Sequence, residues 1–193
     1  MNYLAIIQYL YPTAIQGTDF YLFFPQGSMT PTISYWNTTK LGTQPTIAQL
    51  QQAWPSVQLV QAQQAQLTLL SNNAQSAITG GFSSSALGTA HTYPSQITDQ
   101  LNLHTATAAS TLPGVSSTYT ASLWCETPAV AATSTTAAVP ASWAYTSHTA
   151  AQVQTVFTAL QAWVQAQQTT HAGLIAQVNA ATTVAAVQAV VWP

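Results

Sequence analysis

An α+β fold is what this 193-residue sequence predicts: an N-terminal β-meander, then a mainly helical domain carrying a small β-hairpin. Three observations predict it. Between Met1 and Asn37, runs of aromatic and β-branched residues are bounded by Pro and Gly, the pattern of short strands. From Ser56 to Thr79 and from Val153 to Val164, apolar residues recur at three- and four-residue spacing, which lines one face of a helix. Between those helices Ala121–Thr127 and Ala141–Ser147 read as strands, each with a tryptophan, Trp124 and Trp143, and pair as a hairpin. The expected division is a β-rich region over residues 1–45 and a helical domain over 46–193, its hairpin near 121–147.

In order, the strands are Tyr3 to Tyr11, ending at Pro12, then Phe20 to Phe24 before Pro25-Gln26-Gly27, then Ile33 to Trp36 after Pro31. Three strands leave an apolar face that must rest on the later helices or on another subunit, and another subunit is the expectation. Thr46 and Gln49 have capping-box spacing and open a short helix to Trp54. Pro55 then fits a first turn or a kink before the helix Ser56–Thr79. Its seam, Val57, Val60, Leu67, Ala74 and Ile78, packs either on another helix of the chain or on a second chain.

Gly80 and Gly81 stop that helix, and Phe82, Leu87, Gly88, His91 and Tyr93 follow in a compact non-helical connection closed by Pro94. Ser95 is the expected N-cap of a helix through Asp99 and Gln100 to Leu103. Thr105–Thr120 reads as a connection, and Pro128–Pro140 as an exposed low-complexity loop. His148 sits where the second hairpin strand meets a helix whose capping box is Thr149 and Gln152. That helix carries Val153, Val156, Phe157, Leu160, Trp163 and Val164 on one face and continues past Gly173, where a bend is allowed. Thr182 or Thr183 caps a last short helix, and Trp192 closes the chain as a docked end.

Charge is almost absent: Lys40, Asp19, Asp99 and Glu126 make up 2% of residues, so nothing here recruits nucleic acid or an anionic membrane. With 48% apolar and 10% aromatic residues the chain should nevertheless fold. Its surface must consist of Gln, Thr, Ser, Asn and Ala, which promotes association; either a compositional bias or coverage by neighbouring subunits accounts for it. Few groups can titrate, so tolerance of acid is expected. Cys125 allows no intrachain disulfide and reads as a small buried apolar residue. No apolar run reaches membrane-spanning length, and no basic region precedes an apolar core at the N-terminus, so neither a span nor a signal peptide is expected.

The chemistry these residues allow is limited. Asp99 with His91, Tyr93 and His104 offers acid–base work or a metal ligand set, or else hydrogen bonds that pin the loop to its helix; the second is the expectation, since no further acid or paired histidine accompanies it. No Walker loop, dinucleotide fingerprint, His-Glu-x-x-His or Cys-x-x-Cys occurs. The expectation is a non-enzyme without metal or cofactor.

Taken together, Gly80–Leu103, Trp124-Cys125, Trp143, His148 to Gln152 and Ala181 to Val190 resemble an uncharacterised domain. It recurs at the C-terminal end of phage and prophage tail-fibre and tail-fibre-assembly proteins. The resemblance spans Leu59 to Trp192; where the family has a short acidic turn, this chain has the long Glu126–Pro140 segment. A shorter run, Ile33 to Thr46, is also similar to a segment of phage tail proteins. The resemblance implies a structural part of a phage tail, in the fibre or baseplate, whose β-rich region joins its neighbours. It implies location in the virion, with other tail proteins as partners, and a homo-oligomer of three or a multiple of three. Two other roles fit the same residues: a fibre-assembly chaperone, and a receptor- or glycan-binding module using exposed tryptophans.

Overall fold

A computed structural model describes residues 1–116 and 118–193. The fold is α+β, in two compact units: Met1–Leu67 with Gln177–Val191, and Thr68–Ala176 with Trp192–Pro193. The sequence suggested a division at 45/46; the units divide within two long helices, each of which contributes to both.

In the first unit, α1 (Tyr3–Leu10) is followed by β1 (Phe20–Phe23), β2 (Thr32–Trp36), α2 (Thr38–Leu41) and the start of α3 (Ile47–Thr79). The expected first strand is thus a helix, and the three-stranded meander is a two-stranded antiparallel hairpin. The reason is local. Asn2 caps the helix by accepting from Ala5 N–H at 3.1 Å, and Tyr3, Ile6 and Ile7, three and four residues apart, all bury on one face. They pack with Phe20, Trp36, Leu50 and Val57. The hairpin's inner face, with Phe20 and Trp36, therefore rests on α1 and α3 of its own chain, where another subunit was expected. Fully burying each Leu- or Ile-sized side chain contributes about 1.5–3 kcal/mol.

Side-chain hydrogen bonds finish this unit. Asn37 caps α2 by accepting from Lys40 N–H, and α2 presents Lys40 to Asp19, whose carboxylate accepts from Nζ at 2.6 Å and from Ile15 N–H at 2.9 Å. The α3 amides Gln63 and Gln66 donate to the carbonyls of Val178, Ala181 and Val190, tying down the C-terminal segment. That segment holds α6 (Val184–Gln188), capped by Thr183.

α3 begins at the expected capping box, Thr46 N–H donating to Gln49 Oε1 at 2.8 Å and Gln49 N–H to Thr46 Oγ1 at 3.2 Å. It runs on through Pro55 as one helix, so the separate helix to Trp54 is absent.

The second unit is an antiparallel sheet of order β3-β4-β5-β6 with helices on one face. Its strands are β3 (Phe82–Ser84), β4 (His91–Tyr93), β5 (Thr120–Thr127) and β6 (Ser142–Thr149). The connection after Gly81 is therefore itself a hairpin, and the expected two-stranded element has four strands. α4 (Ile97–Ser110) runs past the predicted end at Leu103, and within it Thr105 and Thr107 turn their hydroxyls back to the carbonyls of Leu101 and Leu103. α5 (Ala150–Ala180) is continuous through Gly173. Phe82, Tyr93, Leu103, Cys125, Val153, Val156 and Leu160 form the core. The α3 seam packs within the chain here: Trp163 Nε1 of α5 donates to Ala77 O, and Ser71 Oγ meets His171 Nε2 at 3.3 Å.

Candidate functional site

The residues singled out after α3 converge in the second unit. Gly80 ends α3 where a Cβ would meet Ser76 O at 2.9 Å. Gly81 has a positive φ of 105°, and its N–H donates to Ser95 Oγ at 2.9 Å. Ser95 is fully buried and donates in turn to Ile78 O; it clamps the end of α3 and is not the N-cap of α4, which is Gln96. Asp99 accepts from Gln96 N–H at 3.1 Å, and Gln100 Nε2 donates to Ser95 O at 2.8 Å. Asp99 thus closes the capping box at the start of α4. Leu87 packs against the core and Gly88 closes the β3–β4 turn with a positive φ.

Behind β4 lies a buried polar pair. Tyr93 OH and His148 Nε2 are 2.8 Å apart, and His148 Nδ1 is 2.8 Å from Thr146 O. A carbonyl only accepts, so Nδ1 carries the proton; Nε2 is then an acceptor and Tyr93 donates to it. Burial holds His148 below the ordinary histidine range, with His91 adding to the depression and the Thr146 bond opposing it. Burial, reinforced by Cys125, pushes the Tyr93 hydroxyl well above its ordinary value. The pair is therefore neutral and joins β4 to β6 across 55 residues of sequence. His91 is buried beside it, Nδ1 donating to Thr89 O, and Ser84 Oγ is buried without a partner. His148 was expected to bond across the strand-to-helix junction; its partners are instead Thr146 on its own strand and Tyr93 on β4, and Tyr93 as the partner was not legible. Thr149 and Gln152 form the capping box that starts α5.

The sheet's outer face carries an aromatic cluster. Across β5 and β6, Trp124 opposes Tyr145 and Glu126 opposes Trp143. Trp124 stacks on Trp143 with centroids 6.2 Å apart and meets Tyr145 at 4.9 Å. Trp124 and Trp143 are each 41% exposed and Tyr145 73%. Tyr145 was not singled out from sequence, although its place two residues after Trp143 on a strand puts it on the same face. Trp192 lies away from this cluster, 6.4 Å from His171.

Among the described residues, no group of three His, Cys, Asp or Glu side chains could hold a metal, and no helix is long and apolar enough to cross a membrane.

The comparison with known families falls on the other unit. Residues 3–62 match the family model described as XkdW protein, a phage- and prophage-associated family. The chain is phage-related. The match contains the Ile33–Thr46 run and overlaps the Leu59–Trp192 resemblance only at 59–62, so it does not support the tail-fibre C-terminal domain. No curated protein and no solved structure matches the chain.

Proposed function

We propose that the protein is a structural component of a bacteriophage tail, a fibre or baseplate-associated protein that works by subunit contacts and not by catalysis. The observation that carries this lies inside the family-matched residues. The β1–β2 hairpin buries Phe20 and Trp36 but presents Tyr21, Phe23 and Tyr35 outward, with Phe24 and Met29 beyond them. Tyr21 and Tyr35 are cross-strand partners with rings 5.6 Å apart. An exposed aromatic face of this kind marks an interaction surface. The chain's one lysine and three acids leave little repulsion to keep copies or neighbours apart. The assembly proposed is a homo-oligomer of three or a multiple of three, docked on other tail proteins in the virion.

The test is a Tyr21→Ser, Phe23→Ser double variant, whose side chains are about half exposed and dispensable for the core. The expected result is an unchanged circular dichroism spectrum, a smaller mass by light scattering, and loss from particles in a complementation assay. Unchanged mass and unchanged incorporation would refute the proposal.

A further inference from the structure

β4 and β5 pair at a single position, Thr92 with Glu126. Immediately beyond it Pro94, which has no N–H to continue a ladder, sends the chain toward α4. The strands part, and between them opens a cavity of about 110 Å³. It is lined by the apolar Phe82 and Leu103, by Asp99 and Asn102 of α4, and by Trp124 and Tyr145 of β5 and β6. The two rings are tilted at 58° to one another and leave much of their surface to water. Ligand sites combine these features: a small apolar cleft, a few convergent polar groups and aromatic side chains at the mouth.

From this geometry we infer a glycan-binding site that takes a neutral N-acetylated hexosamine. The C–H face of the pyranose ring lies against Tyr145, the more exposed ring, beside Trp124, which is already stacked on Trp143. The acetamido methyl packs against Phe82 and Leu103, and the acetamido N–H and C=O meet Asp99 and Asn102. Asp99 is the one charged residue among those lining the site, and its carboxylate favours a neutral sugar over an acidic one. The inference stands on the second unit alone and does not rest on the proposed tail role.

The test is a tryptophan-fluorescence titration of the full chain with chitotriose and, in parallel, with cellotriose, which presents the same ring faces without the acetamido group. The expected result is a saturable change with chitotriose and binding of cellotriose at least roughly tenfold weaker, as loss of a buried apolar group implies. Tyr145→Ala should weaken chitotriose by roughly three- to tenfold. Asn102→Ala should weaken it as well, and both exposed substitutions should leave the circular dichroism unchanged. The inference is overturned if neither sugar gives a saturable change, if the two bind equally, or if both variants bind like the parent.

Discussion

Tyr93→Phe removes one oxygen and tests the buried pair. The ring, 2% exposed and stacked on Phe82 at 5.6 Å, keeps its packing. What is lost is the donor to His148 Nε2. Because Nδ1 is committed to Thr146 O, the imidazole cannot turn Nε2 into a donor without breaking that bond. A buried acceptor left without a partner costs about 1–3 kcal/mol. For a protein of this size that lowers Tm by roughly 2–12 °C. The control is Tyr119→Phe. Its hydroxyl donates to Ala106 O at 3.0 Å in a half-buried setting that water can reach, so its loss should cost under about 1 kcal/mol. Urea unfolding followed by near-ultraviolet circular dichroism reads both. A Tyr93→Phe change within about 0.5 kcal/mol of the parent, the level of an ordinary surface substitution, would refute the tautomer and the pairing argued from it.

Other outcomes follow from the same contacts. His148 titrates lower in the folded state than unfolded, so the unfolded chain binds the extra proton first; stability should fall with pH below about 6.5, by up to about 1.4 kcal/mol per unit, and His148→Gln should flatten that slope in urea midpoints measured between pH 7 and 5. This works against the acid tolerance expected from the low charge. Asp19 is held below its ordinary value of 3.8, first by the Lys40 hydrogen bond and then by Ile15 N–H, so its contribution is present above that value and lost as pH falls through the folded one. Lys40→Met should move the Asp19 titration upward when followed by carboxyl NMR, and an unmoved titration would contradict the pair. Gly81→Ala should destabilise the second unit by about 1–3 kcal/mol, since the site combines a left-handed φ with a Cβ 3.1 Å from Tyr93 O. Equal urea midpoints for Gly81→Ala and parent would show that the backbone there is not constrained.

Local signals in the sequence were the readable ones. Both Thr-x-x-Gln capping boxes start α3 and α5 where expected, and β5 and β6 pair at the tryptophans, because each signal is complete within a few residues. Tyr3–Ile7 was misread because an unbroken apolar run fits a strand and a helix equally; Asn2, the deciding cap, stands just before it. Strands β3 and β4 have three residues each, too few for an alternation, and are held by pairing that spans the β3–β4 turn. Ser95 has a cap's chemistry but spends its hydroxyl on the end of α3. For the candidate site, His148 and both tryptophans stood out by type. Tyr93 as the histidine's partner, and the cavity where β4 leaves β5, exist only through long-range register.

Quantitative mass spectrometry of purified phage particles tests the central proposal most directly. A structural tail component should be present at a fixed copy number per particle, equal to three or a multiple of three. Its absence from complete, infectious particles, with the protein found only in lysates during assembly, would contradict that role and point to a chaperone.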